Sequence, residues 1–133
     1  MAEALLRARL AALRPSATVS SAVLAAPEGR PADPLAVALL AERGLDLGSH
    51  RARQLTPELV SAADLILVME TAQLRHVELL APVARGRVYR LGRSGNFDIP
   101  DPYRQGLREF ERALALIDRG LDGLERTFWA GAA

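Results

Sequence analysis

A chain of 133 residues fits one domain, about the commonest domain size. Half of it is hydrophobic and a quarter charged, with 17 basic against 16 acidic residues, which excludes a disordered chain and gives no basic surplus for nucleic acid. No cysteine occurs, so disulfides, thiolate metal sites and thiol nucleophiles are absent from these residues, and His50 and His76 are too isolated to suggest a metal cluster.

Leu5, Leu6, Leu10 and Leu13 recur at helical spacing until Pro15, so the chain opens on a helix. Glu3 and the lack of a small-residue cleavage site argue against a signal or transit peptide, and the expected location is cytoplasmic. Thr18 to Leu24 is predicted as a first strand, followed by a loop punctuated by Pro27, Gly29 and Pro31. Asp33, Pro34 and Gly44 bracket a helix as N-cap, first turn and terminator. Thr56-Pro57 repeats the capping signal before a short helix.

Asp64 to Met69 (DLILVM) is an apolar run of strand length, suited to a parallel sheet covered on both faces. Thr71 is expected to cap a helix bearing Leu74, Val77 and Leu80, with His76 on its solvated side. Val88 to Leu91 follows as a strand, and Arg85, Arg87, Arg90 and Arg93 read as a solvated basic run. From Leu107, apolar residues through Phe110, Leu114, Ile117, Leu121, Leu124 and Phe128 mark one face of a long last helix. Alternating strands and helices predict an α/β fold with a small parallel sheet between helical layers. No stretch approaches the roughly 20 apolar residues needed to span a bilayer.

Three stretches resemble the low-molecular-weight protein-tyrosine phosphatases, most of all the bacterial members associated with exopolysaccharide tyrosine kinases. They are Ser20 to Leu55 (SSAVL…ADPLAVALLAERGLDLGSHRARQL), Asp64 to Glu70 (DLILVME) and Ile99 to Gly106 (IPDPYRQG). The resemblance implies the three-layer α/β/α phosphotyrosine phosphatase I-like fold as a single domain over residues 1–133. It also implies that the family's first strand and its Cys-x5-Arg-Ser phosphate loop are missing from this chain, as though about 15 residues preceded Met1.

Under that resemblance Asp101 takes the place of the general acid, although an Asp between Pro100 and Pro102 also reads as a turn former. Tyr103 and Arg104 take the place of substrate-binding residues beside it. Ser21, His50 and Arg53 fall on the structural rim of the site, and Val23 stands where a smaller residue is usual. The family's chemistry needs a low-pKa thiolate, donors for the phosphoryl oxygens and an acid for the leaving phenolate, and only the acid is present. The chain as written is therefore expected to be inactive. The alternatives are a non-catalytic pseudophosphatase acting as a binding or regulatory module, and the arsenate reductases of the same fold, which also need cysteine. The implied partner is a tyrosine-phosphorylated protein or kinase, with pairing of two copies through exposed sheet edges. No cofactor, metal, nucleic acid or membrane partner is expected.

Overall fold

The computed structural model describes residues 1–24 and 29–129. Helix α1 spans Ala2–Leu13 and buries Leu5 and Leu10. Helix α2 spans Pro34–Ala41, capped by Asp33, whose carboxylate accepts from the Leu35 N–H at 2.9 Å. Gly44 closes that region at φ +75°, a left-handed conformation that costs glycine little. Helix α3, Pro57–Ala62, is capped by the Thr56 hydroxyl on the Leu59 N–H at 3.2 Å.

Strand β1 (Ile66–Val68) and strand β2 (Val88–Arg90) pair in parallel, Leu67 opposite Tyr89, with helix α4 (Thr71–Leu80) as the crossover. Thr71 does not cap α4. Glu70 is the N-cap, and Gln73 completes a reciprocal capping box by accepting from the Glu70 N–H at 3.0 Å. Thr71 instead donates from its hydroxyl to Asp98 at 3.0 Å.

The alternation of a strand sends neighbouring side chains to opposite faces, and this builds the layers. Ile66 and Val68 join Val60, Val77, Ala81, Ala84 and Val88 on the α3/α4 side. Leu67 and Met69 pack on the larger core of Leu5, Leu40, Leu91, Ile99, Phe110, Ile117 and Leu121, contributed by α1, α2 and helix α5 (Leu107–Leu124). The result is the expected α/β arrangement, with the small parallel sheet between two helical layers.

Three further expectations change. Thr18 to Leu24 does not form a strand: Val23 makes a single parallel bridge to Gln54, and the remainder is irregular, with a bend at Leu24. Pairing on one side at one residue cannot propagate a ladder. Leu80 and Phe128 are partly exposed rather than core. Phe128 lies in a π-helical turn, Glu125–Trp129, and packs on Tyr89 with ring centroids 5.7 Å apart. Of the predicted basic run, Arg90 pairs with Asp98 at 3.0 Å and Arg87 donates to the Ala63 carbonyl at 2.5 Å, so two of the four are structural. Pro27, in the predicted loop, lies outside the described residues.

Candidate functional site

The predicted site residues gather in two groups. The first surrounds Glu3 in the opening turn of α1. Glu3 accepts from the Ser21 hydroxyl at 2.7 Å and from Arg7 at 3.0 Å, and His50 Nδ1 lies 4.0 Å from its carboxylate. Arg53 donates from Nε to the Ser21 carbonyl at 3.0 Å. Ser21, His50 and Arg53, proposed from sequence as one rim, are thus neighbours in space. They line an open cleft of about 300 Å³ together with Arg7, Asp46 and Arg51.

Glu3 is the centre of this group, and the sequence reading missed its role. The available signal was an acid in the first turn of a helix with Arg7 four residues on. Burial acts to raise its carboxyl, but the Ser21 hydrogen bond and the charges of Arg7 and His50 outweigh that and hold it below the ordinary carboxylate value. A carboxylate that is ionised at neutral pH is well suited to orient a hydroxyl and a histidine. It does not itself attract a phosphate.

The second group is the loop before α5. Asp101 accepts from the Tyr103 N–H at 3.0 Å, an Asx turn between two prolines, so its turn-forming role is real. Its carboxyl is exposed and borders a smaller cleft of about 110 Å³ shared with Gln105, Glu109 and Arg112. Arg104 adopts φ +64°, unusual for a residue with a side chain, and brings its guanidinium to 5.3 Å from the Tyr103 ring centroid. The hydrogen bond from Arg104, aided by the charge of Arg30, lowers the Tyr103 phenol from its ordinary value.

One side chain joins the two groups, and it too was missed. Arg30 donates to the Tyr103 hydroxyl oxygen at 2.5 Å, while its own carbonyl accepts from the Ala52 N–H at 2.9 Å, between Arg51 and Arg53. Asp101 and the Glu3 cleft therefore belong to one connected surface without lining one pocket. Among the described residues no group of three or more His, Cys, Asp or Glu side chains could hold a metal ion.

The family model for low molecular weight phosphotyrosine protein phosphatase matches residues 1–130. The chain belongs to that family. It is 51% identical over 122 residues to the probable low molecular weight protein-tyrosine-phosphatase EpsP of Ralstonia nicotianae, covering 92% of this chain and 81% of the relative. Against the low molecular weight protein-tyrosine-phosphatase Wzb of Escherichia coli K12 it is 40% identical over 106 residues, 79% of this chain and 72% of that one. Among solved structures, Vibrio vulnificus Wzb in complex with benzylphosphonate superposes with a TM-score of 0.86 at 38% identity, covering 96% of this chain and 88% of that chain. The low-molecular-weight phosphatase fold is therefore present here with its small parallel sheet. Among the described residues no helix is long and apolar enough to cross a membrane.

Proposed function

We propose that this chain is one folded domain carrying the acid and rim portions of a phosphotyrosine site, and that its 133 residues alone do not turn over phosphate monoesters. One observation carries the reading: a member of a tyrosine phosphatase family has no cysteine at any position. Without a thiolate no phosphocysteine intermediate can form, and loss of a nucleophile costs roughly 10⁶-fold in turnover in a well-studied hydrolase.

In this reading Asp101 is the general acid for a leaving phenolate. Its exposed carboxyl on a proline-flanked turn supports that role. Tyr103 and Arg104 flank an aryl substrate, and the exposure of Tyr103 supports this. Ser21 and His50, facing Glu3, and Arg53, bonded to the Ser21 carbonyl, act as positioning residues for whatever backbone completes the cleft. The partner is a tyrosine-phosphorylated protein, such as a kinase of the exopolysaccharide type, met in the cytoplasm. Among the described residues strand β1 is paired along one edge, by β2, and this supports pairing of two copies through the other edge.

The test is p-nitrophenyl phosphate hydrolysis by this chain and by a version extended to the nearest upstream in-frame start, with size-exclusion chromatography on both. Turnover by a cysteine-bearing extension alone, slowed about 10²-fold or more by Asp101→Asn, supports the assignment of the acid. Turnover by the 133-residue chain above a mock purification overturns the proposal. If no cysteine-bearing extension exists, the binding-module form of the reading remains, and failure to bind phosphotyrosine peptides removes that too.

A further inference from the structure

Helix α5 sorts its charges into two strips. At 3.6 residues per turn, Arg108, Arg112 and Arg119 fall within about 40° of one another around the axis. All three are exposed, and Arg126, also exposed, follows in the π-helical turn. Asp118 and Asp122 lie on the adjacent strip, and with Glu125 they are already partnered. Arg9 reaches Asp122 at 2.6 Å and Glu125 at 3.1 Å, and Arg43 reaches Asp118 at 2.6 Å. The four α5 and π-turn arginines, in contrast, enter no ion pair among the described residues.

Among the described residues no ion pair uses this strip, and Arg119 is held over the ring of Phe97. Arg108 and Arg112 are four apart, a like-charge spacing that disfavours the helix. The helix is held by its opposite face, where Phe110, Leu114, Ile117 and Leu121 are buried. The chain carries a net charge of only +1, so the strip is a local concentration of charge.

We infer that the arginine strip of α5 is a docking surface for an acidic polypeptide segment. Its narrowness favours a single extended chain. A nucleic-acid duplex would overhang the acidic strip beside it, where Glu111 and Asp122 are exposed. A single nucleic-acid strand would want open aromatic faces for its bases. Arg119 already stands 4.7 Å from the centre of Phe97 and Arg93 stands 4.8 Å from that of Tyr89. Eighteen residues of helix span about 27 Å, the reach of about eight extended residues. The strip begins just beyond the loop of Asp101 and Tyr103, so a segment lying on it would be led to that loop. Docking itself does not depend on the proposed role of the loop.

The experiment is fluorescence anisotropy of a labelled oligoglutamate peptide of about ten residues, sized to that span, with the full chain at low and near-physiological salt. Expected are binding by the wild type that weakens with salt, and about a tenfold rise in Kd for Arg112→Glu/Arg119→Glu. Arg75→Glu, an exposed arginine on α4, changes Kd by less than about twofold. Circular dichroism checks the fold, and Arg112→Gln/Arg119→Gln replaces the double reversal if that variant does not fold. No binding by the wild type, equal loss in Arg75→Glu, or equal competition by an oligothymidine would each overturn the inference.

Discussion

The two sides of this molecule are held by different forces. Around α5, shape does the work: Leu91, Ile117, Leu121 and Leu124 are buried, and Gly120 and Gly123 let the 3₁₀ turn Arg93–Gly95 and the end of β2 approach the helix closely. Around residues 19–24, side chains hold the backbone beside the two backbone hydrogen bonds of Val23. Arg7 donates to the Val19 carbonyl at 2.6 Å, Arg53 to that of Ser21, and Gln54 to that of Leu24. A buried wall is cooperative and expensive to disturb, whereas an edge tied by exposed guanidinium groups can loosen without unfolding the rest. The candidate cleft around Glu3 borders the second kind of region, where a ligand or an additional chain segment could still change the structure.

The sharpest way to test this contrast is to hollow the wall. Leu121→Ala removes a side chain only 1% exposed and should cost about 3 kcal/mol, read as a shifted urea midpoint with unchanged slope. A cost under about 1 kcal/mol would mean that the α5 side can collapse around the cavity, and the contrast would fail. Gly120→Ala is the next largest. A Cβ there would stand 2.8 Å from the Leu91 carbonyl oxygen and 2.9 Å from its Cγ. In an unhindered helix the change would gain nearly 1 kcal/mol from reduced chain entropy. Here overpacking against the backbone should reverse the sign and leave a net loss of about 1–2 kcal/mol. A stabilised Gly120→Ala would show that the approach is not tight.

The sequence was most legible where periodicity and burial agree. The buried face of α5 follows from a period of 3.6, the cap of α2 by Asp33 from a local capping signal, and strand β1 from the apolar run Asp64 to Met69, none of which needs a distant partner. Thr18 to Leu24 failed because a strand is made by its neighbours, and only Val23 finds one among the described residues. The site was half legible. Ser21, His50 and Arg53 came from a motif, but Glu3, which joins Ser21 to His50, lies in a helix assigned to the core by its leucines. Arg30, which bonds Tyr103 across 73 positions, offers no local signal. Long-range polar contacts have no period, so they are read only once the fold has brought their partners together.

The smallest expected effect tests the other side of the contrast. Glu3→Gln keeps the shape of the cleft floor but removes the charge that Arg7 and His50 face, and at neutral pH it should cost about 1 kcal/mol. Because the folded-state carboxyl lies below its ordinary value of 4.5, its contribution is complete above that value and is lost as pH falls through the lower folded one. Stability curves of wild type and Glu3→Gln should therefore be separated at pH 7 and converge in acid, while Leu121→Ala stays displaced at both. Hydrogen exchange should show the Glu3→Gln loss as faster opening confined to residues 19–24 and the start of α1. A pH-independent gap between the curves would mean that Glu3 acts by packing. The edge would then be held by the same force as the wall.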